Sequence, residues 1–555
     1  MMTIYAYTGC QFEPKMAVSV FNTRRCTSLV SAFIARTRMF ISTPLPQVRD
    51  KVSRTKPPKP HGGGGERRRK KQPQEAAARA GGGMGGSSAS PCDLDREFAP
   101  QIAQLLATPP LQPAQEYYNG LIQSRKHDGI RVNFSSKHGK GVCANKEFAE
   151  GDLILKDQIL VGAQHSLNKI DCAVCSYCFR FIGSIEFQIG RRLYWQSVGS
   201  SSDCTNRRHC HESDVGSSAS SSGATKENSS TLPEEVLGSL ITGDMSLPFT
   251  DHFSLPQVVP CRGCEEERYC SQSCADSDWE TYHSLLCTGS KTEPSQRSAL
   301  QKFIEHANGS NDIFLVAAKA ITFTLLRYKK LKTQPEFQNN TDESNFSLLM
   351  EAWKPLSMGY KKRWWDSVAL PEDVDSCDED TFRQQIRDLA LTSLQLLKDA
   401  IFDSECAPLF SLDVYGHLIG MFELNNLGLV VASPVEDYFI HIDDLPDDEK
   451  EEAEKVTRPF LDALGEDYAA PCEGTAFFPL QSCMNHSCCP NAKAYKRDED
   501  TDGNAVIIAL EPIKKDDEIT ISYIDEDVSY EERQAELADY GFICTCPRCQ
   551  EEKPN

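Results

Sequence analysis

The chain of 555 residues is 40% hydrophobic and carries a net charge of −21. It contains no apolar run close to the ~18–20 residues of a membrane-spanning helix, which excludes an integral helical membrane protein. The charge is uneven: residues 1–90 hold 16 Lys and Arg against 4 Asp and Glu, a net of +12, so the remainder carries −33. An acidic body repels nucleic acid and attracts basic proteins, so we expect no direct sequence-specific binding of nucleic acid. Acidic residues would equally serve only to keep a large protein in solution.

Residues 1–96 are predicted to form a disordered, basic and glycine-rich tail, because such a composition cannot bury enough apolar surface to fold. The basic run at 67–71 has the composition of a nuclear localisation signal and equally that of a solvated linker patch. The first 50 residues are rich in Ser, Thr and Arg and poor in acids, as organelle transit peptides are. The nucleus and the plastid therefore both remain possible destinations.

From about residue 130 the sequence favours short strands over the next 25 residues. Gly139, Lys140 and Gly141 are predicted to form a turn between two of them. A glycine on each side of Lys140 lets the backbone approach a ligand closely. A plain hairpin turn is the alternative interpretation.

The 23 cysteines are clustered, and no secretory signal peptide accompanies them, so metal ligation is favoured over disulfides. Four pairs have zinc-ligand spacing: Cys175 and Cys178, Cys261 and Cys264, Cys270 and Cys274, His283 and Cys287. Their alternation predicts a cross-brace, with the first and third pairs on one zinc ion and the second and fourth on another. Such closed sites indicate folding and partner binding, not catalysis.

Two features of this cysteine-rich unit leave questions open. Cys172 stands three residues before Cys175, so it competes with Cys178 as the second ligand of the first pair. Residues 179–260 separate the first pair from the second and include a serine-rich run at 217–222. We expect this insert to be disordered and to loop out.

The middle of the chain, residues 297–411, is predicted to be helical. Segments 303–332 and 382–402 carry apolar residues at helical spacing. Residues 412–434 are apolar but contain Asn425, and a buried asparagine needs hydrogen-bond partners. Asn425 therefore either caps a helix end or faces a polar ligand.

The most distinctive stretch is Cys-Met-Asn-His-Ser-Cys-Cys-Pro-Asn at residues 483–491. A β-branched strand at 518–522 follows and leads directly into Tyr523. Three cysteines close the set: Cys544, Cys546 and Cys549. They are one thiolate short of a zinc site, and Cys488 and Cys489 both have suitable spacing for the fourth ligand.

In this order, the motifs resemble the SET- and MYND-domain protein-lysine methyltransferases, and most of all the plant trithorax-related members. The run at 478–492, F-P-L-Q-S-C-M-N-H-S-C-C-P-N-A, carries much of the likeness, which covers roughly residues 130–178 and 261–549. The resemblance implies an α+β protein: a SET fold of small curved β-sheets with a pseudoknot, split by a zinc-binding MYND-type module and a helical insert. The implied units are an N-terminal SET part (125–171), the zinc module (172–287), the helical region (297–411), the C-terminal SET core (412–525) and a post-SET zinc segment (526–555).

The resemblance also implies roles for individual residues. S-adenosyl-L-methionine would be the cofactor, and Tyr523 the catalytic residue. The residues implied to contact the cofactor are His138, Gly139, Lys140, Gly141, Asn425, Asn485, His486, Tyr523, Tyr540 and Phe542. Cys488 would complete the third site with Cys544, Cys546 and Cys549, so that three zinc ions are expected.

The function implied is methylation of histone lysines in the nucleus, as part of chromatin and transcription regulation. Histone tails or other basic proteins would be substrates, and the zinc module would bind proline-rich peptides or transcription factors. The alternatives are a methyltransferase for non-histone lysines, in the cytoplasm or the plastid, and a catalytically weak zinc adaptor. The target lysine and the degree of methylation depend on the shape of the channel wall, which the sequence does not fix.

Overall fold

A computed structural model describes residues 91–135, 139–201, 232–335, 342–371, 374 and 378–554 of the chain. The tail prediction for residues 1–90 and the cofactor prediction for His138 lie outside the described residues. None of the described helices combines the length and the apolar composition needed to cross a membrane.

Helices account for about half of the described chain. In order they are α1 (Pro91–Glu97), α2 (Ala99–Leu106), α3 (Leu111–Arg125), α4 (Asn168–Asp171), α5 (Ile185–Ser201), α6 (Glu234–Thr242), α7 (Gln272–Asp278), α8 (Ser284–Leu286), α9 (Pro294–Ser310), α10 (Ile313–Lys332), α11 (Asp342–Ser357), α12 (Trp364–Ser367), α13 (Glu379–Ile401), α14 (Leu412–Asn425), α15 (Pro434–Asp443), α16 (Asp447–Leu464), α17 (Tyr530–Asp539) and α18 (Pro547–Glu552).

The strands are short. They are β1 (Ile130–Ser135), β2 (Gly139–Ala144), β3 (Leu153–Asp157), β4 (Val161–Gln164), β5 (Val259–Pro260), β6 (Arg268–Tyr269), β7 (Asn426–Val431), β8 (Cys472–Phe477), β9 (Asn485–His486), β10 (Ala492–Ala494), β11 (Ala505–Ala509) and β12 (Glu518–Ile521). Three small sheets, ordered β1-β2-β12-β9, β10-β11-β3 and β4-β8-β7, contain all but β5 and β6, which pair with each other. The α+β class and the small sheets are as predicted.

The four-stranded sheet contains the feature that we call the knot, in which β9 (Asn485–His486) lies beside the end of β12 (Glu518–Ile521). β12 pairs antiparallel with β2 on one side and parallel with β9 on the other, with Ile521 opposite His486. Val132, Val142 and Ile519 of this sheet are completely or almost completely buried, so the β-branched pattern forms a core. The end of β12 and the Asn-His segment are thereby held side by side.

The predicted turn at residues 139–141 is wrong, because these residues begin β2. Lys140 is paired with Phe134, and Gly141 with Asn133, in an antiparallel ladder with β1. Only Gly139 has a turn-like conformation, with φ of +69°, which favours glycine. The ladder continues through the glycines because its other residues, such as Val142, bury their side chains against the core.

The predicted helical region is confirmed by α9, α10, α11 and α13. Their apolar faces meet in the largest core cluster among the described residues, where Phe303, Leu325 and Leu394 are buried. Trp353 and Trp364 are fully buried in the same cluster and serve packing, as their apolar surroundings predict.

The prediction that residues 179–260 are disordered is wrong for the described parts, 179–201 and 232–260. Helices α5 and α6 pack against α15 and α16 through a core of their own, to which each contributes buried apolar side chains. The serine-rich middle of the insert hid these amphipathic flanks, and residues 202–231 lie outside the described part of the chain. The tail prediction likewise fails for 91–96, because they form most of α1 and Leu94 is buried.

Candidate active site and zinc sites

A cavity of about 640 Å³ opens beside the knot. Its wall includes the turn before β9, the residues that follow β12, the end of α14 and the connection after α11. Seven of the sequence-predicted cofactor residues line it: Gly139, Lys140, Asn425, Asn485, Tyr523, Tyr540 and Phe542. Gly141 and His486 do not line it, because both face into the sheet region behind the wall.

The turn that leads into β9 is fixed by Asp157, a residue that the sequence reasoning missed. Asp157 is completely buried at the end of β3. Its carboxylate accepts hydrogen bonds from the backbone N–H groups of Leu480 and Gln481, at 2.7 and 2.9 Å, and also pairs with Arg125. A buried carboxylate satisfied in this way anchors the turn against the sheet.

Asn485 connects the knot to β2 through side-chain hydrogen bonds. Its side-chain amide donates to the carbonyl oxygen of Lys140 at 2.9 Å and to the carboxylate of Glu518 at 2.7 Å. Gly141 lies directly against this pair, since a Cβ atom at position 141 would come within 2.6 Å of Glu518 Oε1. A side chain at position 141 would therefore displace the Glu518 carboxylate from its contact with Asn485.

Both ring nitrogens of His486 make contacts inside the knot. Its Nδ1 accepts a hydrogen bond from the backbone N–H of Tyr523 at 3.0 Å, and its Nε2 lies 3.2 Å from the sulfur of Cys488. Burial, together with the nearby charge of Arg533, lowers the pKa of His486 to about 4, so the ring is neutral. Because Nδ1 is the acceptor, Nε2 carries the hydrogen and donates it to Cys488.

Tyr523 stands at the cavity with an aromatic wall around it. Its hydroxyl donates to the carbonyl oxygen of Met484, and its ring centroid lies 5.3 Å from that of Tyr540 and 6.4 Å from that of Phe542. Burial raises the pKa of Tyr523 far above its usual range, so the hydroxyl stays protonated.

Asn425 ends α14 and lines the cavity, while its contact with a polar ligand stays a prediction. Its side-chain oxygen accepts from the backbone N–H of Tyr360 at 3.2 Å. Its amide nitrogen donates to the carbonyl oxygens of Tyr360 and Met421, both at 2.8 Å. Asn425 therefore holds the connection after α11 at the cavity wall, a role that sequence reasoning did not foresee.

Three groups of metal-ligating side chains assemble among the described residues, and each combines ligands in the predicted grouping. They are Cys175, Cys178, Cys270 and Cys274; Cys261, Cys264, His283 and Cys287; and Cys488, Cys544, Cys546 and Cys549. Within each group the candidate ligand atoms all lie within 4.8 Å of one another. The first two groups join alternate pairs, which is the arrangement of a cross-brace.

The donor geometry fits zinc. The sulfur atoms of Cys178 and Cys270 lie 3.5 Å apart, as do those of Cys488 and Cys549. A tetrahedral ion with Zn–S bonds of about 2.3 Å needs sulfur atoms about 3.8 Å apart. Thiolate and imidazole donors in sets of four are those of closed structural zinc sites.

The structure distinguishes Cys178 from Cys172 and Cys488 from Cys489 as candidate zinc ligands. The Cys172 thiol lies outside the first group and donates to the carbonyl oxygen of Pro471, with a sulfur–oxygen distance of 3.3 Å, so Cys178 is the group member. Cys489 is exposed and outside the third group, whereas Cys488 is buried within it.

Comparison with known proteins matches the SET domain family to residues 369–524 and the MYND finger family to residues 254–287. The chain is 60% identical over 462 residues to histone-lysine N-methyltransferase ATXR2 of Arabidopsis thaliana, covering 82% of this chain and 98% of that protein. It is 24% identical over 453 residues to protein-lysine N-trimethyltransferase SMYD5 of Homo sapiens, covering 78% and 90% of the two chains. A shorter match, 45% over 78 residues, or 14% of this chain and 15% of the other, joins it to histone-lysine N-methyltransferase ASHR1 of Arabidopsis thaliana. The chain therefore belongs to the family of SET- and MYND-domain protein-lysine methyltransferases.

Proposed function

We propose that this chain transfers methyl groups from S-adenosylmethionine to lysine side chains of histones. The observation that carries the proposal is a single cavity lined by Lys140, Asn485 and Tyr523, with Tyr540 and Phe542 beside them. These residues come from four separate parts of the chain and converge only in the folded protein. The proposed SET core consists of residues 125–171 and 412–525, built around the zinc module (172–287) and the helical region (297–411) and closed by 526–555.

The cavity fits such a cofactor. Its volume of about 640 Å³ lies within the range of ~300–1,000 Å³ usual for small-molecule sites. Gln481 lines the cavity, is 5% exposed, and its side-chain oxygen is buried without a hydrogen-bond partner, which leaves an acceptor for a ligand donor. The rings of Tyr540 and Phe542 offer flat apolar surface to a purine.

When bound, S-adenosylmethionine supplies an electrophilic methyl group whose bond to sulfur breaks as a bond to the lysine nitrogen forms. Tyr523 is proposed to orient the lysine amine and to stabilise the positive charge around the methyl group. Its hydroxyl is fixed by the Met484 carbonyl, so two oxygen atoms with partial negative charge lie together at the cavity. Loss of solvent around a lysine that enters the cavity disfavours its charged form, which lowers the pKa of its amine and leaves the lone pair free.

Histones are proposed as substrates because the charge of the body fits them. Residues 91–555 carry a net charge of −33, which attracts strongly basic tails. The name of the Arabidopsis thaliana relative supports the same substrate class. We propose action in the nucleus, with the basic run at 67–71 as the localisation signal.

Zinc is proposed at all three cysteine-rich groups, with three ions per chain. The two ions of the MYND-type module would stabilise a surface for partner proteins, including proline-rich peptides and transcription factors. The indole of Trp279, stacked 4.9 Å from the guanidinium carbon of Arg262, is the candidate contact surface of that module.

The test is transfer of a radiolabelled methyl group to purified core histones and, in parallel, to total protein extract. The full chain should label a histone, and Tyr523→Phe should abolish labelling while zinc content and the circular dichroism spectrum stay unchanged. Tyr194→Phe on α5, remote from the cavity lining, is the matched control and should keep full activity. Labelling of extract proteins without histones would overturn the histone assignment, and full activity of Tyr523→Phe would overturn the role of Tyr523.

A further inference from the structure

The connection between α11 and α12, residues 358–363, forms part of the cavity wall. Met358, Gly359, Tyr360 and Lys361 all line the cavity. Asn425 holds Tyr360 through both of its backbone groups. A Cβ atom at Gly359 would come within 2.3 Å of Met421 Sδ, so this connection packs closely against α14. The place of Lys361 in the wall is therefore fixed on both sides.

Two lysines of this wall have no acidic partner. Lys361 donates to the carbonyl oxygens of Ser357 and Gly359 at 2.7 and 3.0 Å. Lys140 donates to the carbonyl oxygen of Met358 at 2.5 Å and to the hydroxyl of Tyr118 at 3.3 Å. All four acceptors are neutral, and no described residue forms an ion pair with either lysine.

The amine of Lys361 lies within the electrostatic influence of Lys140. Burial and the charge of Lys140 lower the pKa of Lys361 to about 7, a mark of ammonium groups confined together without compensation. Of the described residues that line the cavity, Glu473 on β8 is the one carboxylate. A site with paired cations and neutral hydrogen-bond partners favours an anionic ligand.

We propose that Lys361 and Lys140 together bind the carboxylate of the amino-acid end of the cofactor, with Lys361 as a cofactor-binding residue contributed by the helical region. This inference rests on the proposed function, because it assigns one end of the proposed cofactor to a defined place in the cavity. The aromatic residues Tyr540 and Phe542, which also line the cavity, are left for the adenine end. The assignment makes the position of residues 358–363 a condition of cofactor affinity.

The test compares two ligands that share the adenosine portion. S-adenosylhomocysteine carries the carboxylate, whereas 5′-methylthioadenosine lacks the whole amino-acid end. Calorimetric titration of the full chain should give tighter binding of the first ligand. Lys361→Met should weaken S-adenosylhomocysteine about tenfold to a hundredfold, the usual effect of losing a charged hydrogen bond, and change 5′-methylthioadenosine less than twofold. Lys302→Met, at an exposed lysine on α9 that does not line the cavity, should change neither.

The possible results separate the claims. Wild-type affinity of Lys361→Met for S-adenosylhomocysteine would overturn the inference and leave the proposed function standing. Equal loss of both ligands in that variant would also overturn it, because it would indicate a collapsed cavity. Failure of the wild-type chain to bind either ligand would overturn the proposed function itself.

Discussion

The backbone N–H of Tyr523 donates to Nδ1 of His486 at 3.0 Å, and the opposite ring nitrogen of His486 lies 3.2 Å from the sulfur of Cys488. One imidazole therefore joins the strand end that carries the proposed catalytic tyrosine to the third zinc group. Hydrogen bonds to a ligating sulfur orient the ligand and tune the metal site. The zinc group at the C-terminus and the chemistry in the cavity are thereby parts of one structure.

We predict that His486→Ala impairs methyl transfer and zinc retention together. The substitution removes the acceptor for the Tyr523 N–H and the donor to Cys488, so turnover should fall at least tenfold. His486→Asn should retain more activity, because its side-chain oxygen replaces Nδ1 as an acceptor. Steady-state kinetics and the rate of zinc release to a chromogenic chelator measure the two effects. Normal turnover in His486→Ala would show that the imidazole does not position Tyr523.

A second prediction concerns two adjacent cysteines. Cys488→Ser should reduce the zinc content from three ions per chain to two, because Cys488 is buried within the third ligand group. Cys489→Ser is the matched control, since Cys489 is exposed and outside that group. Elemental analysis of the purified variants measures the ratio. Loss of an ion from Cys489→Ser alone would reverse the assignment of the ligand.

A third prediction concerns the hydrogen bonds between the Asn425 side chain and the Tyr360 backbone. Asn425→Ala removes both hydrogen bonds to the Tyr360 backbone, at a cost of about 0.5–1.5 kcal/mol for each bond. Hydrogen exchange at the amides of residues 358–363 should become faster, and affinity for S-adenosylhomocysteine should fall. Asn425→Asp keeps the acceptor and should give an intermediate effect. Unchanged exchange in Asn425→Ala would mean that packing alone holds this connection.

The sequence was informative where chemistry depends on local spacing. Cysteine pairs such as Cys261 and Cys264 predicted their own zinc groups, because two residues between thiols bring both within reach of one ion. Partnerships between distant residues could not be read in this way. Asp157 binds the N–H of Leu480 from 323 positions away, and Lys140 reaches the carbonyl of Met358 across 218 positions. Only the folded chain brings these groups together.

The incorrect and missing predictions have physical causes of the same kind. The amphipathic segments of α5 and α6 flank a low-complexity run, and composition averaged over the whole insert masked their apolar faces. Asn425 lies at the cavity, as predicted. Its partner Tyr360 is 65 positions away, so the local sequence could not indicate the hydrogen bonds between them. Lys361 was missed because a single lysine in a loop is usually solvated, and its position becomes meaningful only beside Lys140.

A fourth prediction concerns the pH dependence of stability. Glu423 on α14 is 8% exposed, and burial raises the pKa of its carboxyl from the usual 4.5 to about 7. The folded protein therefore keeps a proton that the unfolded chain releases, so stability is greatest below pH 4.5 with respect to this group and declines as pH rises to about 7. Glu423→Gln removes this loss and should raise the free energy of unfolding at pH 8 by up to about 3 kcal/mol. Thermal unfolding followed by circular dichroism should show a higher melting temperature for the variant at pH 8 and a much smaller difference at pH 5. Parallel melting curves of the two proteins across this range would show that Glu423 is ionised in the folded state without cost.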